Sequence, residues 1–348
     1  MRTPDFKNLL KVLDKKKPDR PTLFEFFLNK PLYERLAGTQ VLSANPDWQW
    51  NTVCPVLINA SKNAGYDYAT VQGSNFVFPN KEPEHKQTVS LNAGNMIYDR
   101  ESFKQYIWLE PEHSDYSLIK NADKLLPDGM KLIVCGPGGV LENAIALVGY
   151  EKLCMLLIDE PKLVDDIFSS IGERLVKYYQ ICAGFDSVGA LISNDDWGFK
   201  TQTMLSPADM RKYVVPWHKK IAKTIHTAGK PAILHSCGKL DEVMNDIIYE
   251  IGYDAKHSYE DIIEPVESFY DRMAGKIAVL GGMDLDFVIR SPEKQIKKRC
   301  LNMLKKSEKI GGYALGTGNS VPEYVPDEKY FAMINTVLYE NHVGTIHH

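Results

Sequence analysis

Short apolar runs and longer amphipathic stretches alternate along most of this chain. The runs Thr22–Phe27, Tyr66–Gly73, Lys131–Gly138, Val188–Ser193, Lys230–Gly238, Asp254–Tyr259, Ile277–Asp284 and Gly312–Ser320 are bounded by Gly, Pro or Asn, which predicts eight short buried strands. Helical periodicity fills the intervals, over Leu141–Val148, Tyr150–Ile158, Pro161–Gly184, Leu240–Glu250 and Pro292–Lys309, with a terminal helix around Asp327–Glu340. Ser206-Pro-Ala-Asp209 is a helix start, with Ser as N-cap, Pro in the first turn and an acid at the third position. Pro216 predicts a bend in that helix and Gly229 its stop. An amphipathic helix over Phe6–Lys17 precedes the first strand, and Pro18-Asp-Arg-Pro21 ends it. Residues 74–130 break the rhythm: Phe76–Phe78, Thr88–Leu91 and Met96–Tyr98, separated by Asn, Gly and Pro, predict a small β-hairpin insertion after the second strand.

Eight strands alternating with helices predict a single (β/α)8 TIM barrel spanning 1–348, with a helical extension over 1–20 and an insertion over about 74–130. A doubly wound open sheet is the competing architecture. It is disfavoured because no Gly-x-Gly-x-x-Gly follows the first strand.

Composition narrows the function classes. The 348 residues carry a net charge of −4 and form no basic stripe, which leaves no electrostatic footprint for nucleic acid. No apolar run is long enough to span a membrane, and Met1-Arg-Thr-Pro-Asp5 lacks the apolar core of a signal peptide. Six cysteines lie scattered without Cys-x-x-Cys spacing, so no disulfide framework is expected and a cytoplasmic setting is.

In a barrel, chemistry gathers at the C-terminal ends of the strands. Those ends carry Glu25, Gln72, Cys135, Asn194-Asp195-Asp196, His235 and Cys237, His257 to Glu260, Asp284, Thr317 and Asn319. His235 and Cys237 are two apart in a strand pattern and share a face, and an imidazole with a thiolate suits zinc. The alternative is a hydrogen-bonded core histidine beside an inert thiol. Glu260, just past the next strand, is the preferred third ligand, against an ordinary surface carboxylate; Cys135 is a less favoured sulfur donor. Asp196, Asn194 and Asp284 are candidates for orienting substrate or moving a proton, and Trp197, Gln72, Thr317 and Asn319 for lining the substrate.

Asn194-Asp-Asp-Trp-Gly198, Ser206-Pro-x-x-Met-x-x-x-Val-x-Pro216, Ile233-Leu-His-Ser-Cys-Gly238, Gly281-Gly-Met-Asp284 and Gly316-x-Gly-x-x-x-Pro322 together resemble the uroporphyrinogen decarboxylase superfamily. The resemblance implies a (β/α)8 barrel and two kinds of enzyme. True decarboxylases carry an arginine-rich segment after the first strand, where this chain has Leu23-Phe-Glu-Phe-Phe-Leu28. They also carry an acid at the end of the second strand and a histidine in the eighth, where Thr70-Val-Gln-Gly73 and Thr317 stand here. The other kind, methyltransferases that work with corrinoid proteins, share His-x-Cys as zinc ligands, matched by His235 and Cys237, with Glu260 as counterpart of a glutamate ligand. The second cysteine of that pattern is replaced near Gly316-Thr-Gly-Asn319, which shifts the expectation from thiol methylation to demethylation of a substrate. The resemblance thus implies Zn2+, a small O- or N-methylated substrate and a cobalamin-type corrinoid on a separate protein, with a homodimer allowed. The alternatives are a uroporphyrinogen decarboxylase-like decarboxylase and an inactive barrel serving as a binding component.

Overall fold

The computed structural model describes residues 2–44, 50–80, 90–92 and 96–339. Seven parallel strands form one curled sheet in unbroken chain order: β1 (Tyr68–Gln72), β2 (Lys131–Cys135), β3 (Val188–Asn194), β4 (Ala232–His235), β5 (Ala255–His257), β6 (Ala278–Leu280) and β7 (Tyr313–Ala314). A doubly wound sheet would reverse its strand order part-way, so that alternative is excluded. Among the described residues no helix is long and apolar enough to cross a membrane.

Among the described residues the predicted first strand, Thr22–Phe27, is not found, and with it the closure of the cylinder. Leu23 makes a single parallel bridge to Leu315, with Phe24 N–H donating to Leu315 O at 2.8 Å. On its other side the segment meets β1 through a side chain. The Tyr68 hydroxyl accepts from Glu25 N–H at 2.7 Å and donates to Glu25 O at 2.8 Å. A phenol thus takes the backbone groups that a ladder would need.

The hairpin expected after the second strand is not found either. Among the described residues, no strand lies between Gln72 and Lys131. Thr88 and Val89 fall outside the described residues. Met96 N–H and Ile97 N–H both donate to Leu147 O, which pins this segment to a helix end rather than to a partner strand. Asp99 then caps the helix Arg100–Gln105, its carboxylate accepting from Ser102 N–H at 2.8 Å. Pro216 is accommodated by a widened π-helical turn over Met210–Val214, ahead of the regular helix Val215–Thr227.

Register sets up the site. Asn194 pairs with His235, and His235 pairs with His257, so three polar residues stand side by side across β3, β4 and β5. Paired residues in a parallel ladder share a face. Below them Leu191, Ile192, Ile233 and Leu234 are fully buried and fill the sheet.

Candidate metal centre

Beyond β3 and β4 the chain makes two turns that touch backbone to backbone. Gly238 lies in the left-handed region at φ +87°, and a Cβ there would come within 2.1 Å of the Gly198 carbonyl carbon. Lys239 N–H donates to Phe199 O at 2.8 Å across the same crossing. Only glycine allows this approach, and the approach carries Asp196 to Cys237. Cys237 N–H donates to Asp196 Oδ1 at 2.8 Å.

One oxygen of Asp196, one ring nitrogen of His235 and the sulfur of Cys237 lie within 4.8 Å of one another. Carboxylate, imidazole and thiolate are the donor types that catalytic zinc sites use, three from the protein with a further position left open. The surroundings fit that set. Ser258 Oγ donates to Cys237 Sγ at 3.3 Å and Asn319 Nδ2 donates to it at 3.4 Å, an arrangement that favours a sulfur carrying negative charge. Ser258 holds its hydroxyl there from a strained backbone at φ +92°, rare for a residue with a side chain. Without a cation, burial and the adjacent Asp196 push the Cys237 thiol up to about 12. A dication between the two acidic groups would reverse that balance.

His235 is 7% exposed and packs against Phe26, ring centroids 4.5 Å apart and planes tilted by 31°. Its Nε2 lies 3.9 Å from Cys237 Sγ and its Nδ1 2.8 Å from His257 Nδ1. Burial, then the neighbouring His257 and Lys256, hold His235 well below the ordinary histidine range, so it is a neutral donor. Next door on β5, Lys256 points the opposite way from His257. Its ammonium donates to Ser258 O at 2.5 Å and sits 4.4 Å from the Tyr259 ring centre, and burial brings it down to about 8.

The remaining sequence candidates take different places. Glu260 is not in the converging group. It lines a small cavity with Lys256, Ser258 and Tyr259, and the oxygen that lies with the His235 nitrogen and the Cys237 sulfur is that of Asp196. Cys135 is also outside the group; it is 1% exposed and donates to Val71 O at 3.4 Å. Asp284 is a helix cap, with Oδ1 accepting from Phe287 N–H and Oδ2 from Asp261 N–H, both at 2.9 Å. Asn194 Oδ1 accepts from Gly136 N–H at 3.1 Å, tying the end of β3 to that of β2. Gln72 ends β1 half-buried.

Trp197 was expected to flank the substrate, yet it is 0% exposed. It packs edge-on to His218, ring centroids 4.8 Å apart, and its backbone N–H donates to Ser236 Oγ at 3.1 Å. Thr317 is equally enclosed. Its N–H donates to Glu25 Oε1 at 2.7 Å, and its hydroxyl lies between Glu25 Oε2 and Asn319 O. Burial raises Glu25 to about 8, so it carries a proton at neutral pH. The protonated acid can then donate to Thr317 Oγ1 while Thr317 donates to Asn319 O, which satisfies every group. Asp195 faces away from the mouth and accepts from Leu141 N–H, Glu142 N–H and His218 Nε2.

A parallel sheet in chain order, with nitrogen, oxygen and sulfur donors converging beyond adjacent strand ends, defines a β/α protein of the barrel type with a candidate metal site. The uroporphyrinogen decarboxylase (URO-D) family model matches residues 103–338, more than half of the chain, and the chain belongs to that family. Curated uroporphyrinogen decarboxylases from an Anaeromyxobacter species and from Anaeromyxobacter dehalogenans are 25% and 23% identical to it over 218 residues, 61% of this chain. The chain spans 59% of the length of each. Among solved structures, a methyltransferase from Methanosarcina mazei has the same fold, with a TM-score of 0.70 at 14% identity, covering 98% of this chain and 100% of that one.

Proposed function

We propose that this protein is a zinc-dependent methyltransferase of the URO-D family that moves a methyl group from a small O- or N-methylated substrate to a corrinoid protein. The observation that carries the reading is the convergence of Asp196, His235 and Cys237 within 4.8 Å. Zinc held by these three residues would supply Lewis-acid polarisation of the heteroatom that gives up the methyl group.

The chain's own residues supply the rest. Ser258 and Asn319 hold the Cys237 sulfur through hydrogen bonds, and Asp196 fixes the turn that carries it. Phe26 covers one face of the His235 ring and keeps water from it. Glu142, half-buried with its carboxylate accepting from Gly139 N–H, is raised by burial and by Asp195 and Asp196, and so can keep a proton close to the site.

The likeness to the Methanosarcina methyltransferase supports the reading through fold, and the acidic character of the site supports it through charge. A tetrapyrrole with many carboxylates calls for arginines that grip it in pairs. Here Asp196, Cys237 and Glu142 gather instead, and the cation beside them, Lys256, gives its ammonium to Ser258 O and the Tyr259 ring. The test supplies metal-replete protein with a reduced corrinoid protein and a panel of methoxy and methylamine compounds, and follows methyl-corrinoid absorbance. Methyl transfer by the wild type and its loss in Cys237→Ala are expected. Consumption of uroporphyrinogen with no metal or partner present would replace this reading by a decarboxylase.

A further inference from the structure

We infer that His257 is a positioning residue that locks His235 with its proton on Nδ1, so that Nε2 is the nitrogen offered to a metal ion. The inference rests on the metal reading above and concerns two imidazoles that meet nitrogen to nitrogen. His257 Nε2 lies 3.2 Å from Thr317 O. A carbonyl oxygen only accepts, so Nε2 of His257 carries the hydrogen. In a neutral imidazole the other nitrogen is then a bare acceptor. That nitrogen, His257 Nδ1, lies 2.8 Å from His235 Nδ1, which must therefore donate. The proton of His235 is thereby committed to Nδ1. Its Nε2 is left as a lone pair, on the side where Cys237 Sγ lies 3.9 Å away. The opposite polarity would set the lone pair of His257 Nε2 against those of a carbonyl oxygen.

The far end of this relay is itself held in place. The Thr317 carbonyl also accepts from Gly282 N–H at 3.0 Å, and Thr317 N–H is tied to Glu25 at 2.7 Å. His257 is fully buried, with the Phe24 and Phe26 rings 5.2 and 6.4 Å from its own, and both of its nitrogens are taken by uncharged groups. Orientation of a ligating histidine through its other nitrogen is a general device. Here a second histidine and a backbone carbonyl fill the place more often held by a carboxylate.

Long-range 15N–1H correlation spectra of the imidazoles in metal-free protein read the tautomers directly. The expected spectra show His235 protonated at Nδ1 and His257 at Nε2. Zinc affinity is then measured by chelator competition on wild type, His257→Phe and His257→Gln, with near-ultraviolet circular dichroism confirming the fold. Phe fills the space without accepting and should weaken zinc binding by about 10- to 100-fold, whereas Gln, which can accept, should recover part of the loss. A proton on Nε2 of His235 in the wild type, or unchanged zinc affinity in folded His257→Phe, overturns the inference. The expected tautomers in a protein that takes up no zinc would support the relay and sink the metal reading alone.

Discussion

Two buried histidines, His218 and His235, are used in opposite ways. His218 is closed at both ends: Nε2 meets Asp195 Oδ2 at 2.8 Å, Nδ1 meets the Tyr253 hydroxyl at 2.7 Å, and Asp195 spends its other contacts on the N-terminal amides of the helix Val140–Val148. His235 is closed at one end by His257 and open at the other, toward Asp196 and Cys237. A polar cluster with every valence taken is scaffold, because nothing remains to offer a ligand. A cluster with one unspent lone pair, next to a carboxylate and a thiol, is equipped to bind one. Adjacent residues of the chain, Asp195 and Asp196, fall on either side of that divide.

The contrast can be broken most forcefully at the closed cluster. His218→Ala leaves the buried Asp195 carboxylate short of a partner and should cost about 3–5 kcal/mol in urea unfolding. The zinc bound per folded chain should stay near that of wild type; a parallel loss of metal would mean that the two clusters are one unit.

A smaller effect sharpens the open cluster at its anchor. Glu25 is raised from 4.5 to about 8 by burial, so between those values the folded protein holds a proton that the unfolded chain has released. Its contribution is fully present below about pH 4.5 and is lost as pH rises through about 8, on the order of a few kcal/mol. Stability measured by urea unfolding should therefore fall from pH 5 to 8, and Glu25→Gln should flatten that slope. A slope unchanged in the variant would assign the proton elsewhere.

At the open end, Cys237→Ala should lower zinc retention by about tenfold or more while leaving stability within about 1 kcal/mol of wild type. The finest distinction separates two carboxylates. Asp196→Asn should reduce zinc affinity by chelator competition, and Glu260→Gln should leave it unchanged; the reverse pattern would restore Glu260 as the third ligand.

How far the sequence could be read follows from which interactions are local. Apolar runs marked the strands, most weakly β5 with Ala255-Lys256-His257, because a strand buried on both faces shows in its own residues. Closure by Thr22–Phe27 was not readable, since what takes its backbone groups is a tyrosine 43 positions further on. His235 and Cys237 were legible as a pair two residues apart at a strand end. Asp196 was legible as a candidate for orienting substrate or moving a proton, but its place beside His235 and Cys237 was not, because that depends on a crossing of two turns. The glycines at 198 and 238, each directly after a candidate residue, were the available sign of that crossing. Asp284 stood just before a helix, which is the mark of an N-cap and accounts for one of its oxygens; the other accepts from Asp261 N–H. Trp197 and Thr317 looked like rim residues because strand-end position says nothing about what lies above them.

Asp196, His235 and Cys237 are proposed to hold one ion by oxygen, nitrogen and sulfur. X-ray absorption at the zinc edge of metal-replete protein tests this most directly. The predicted spectrum contains one sulfur and one imidazole among oxygen or nitrogen ligands, and it loses the sulfur in Cys237→Ala. A zinc environment with no sulfur in the wild type, or one that is unchanged in that variant, would contradict it.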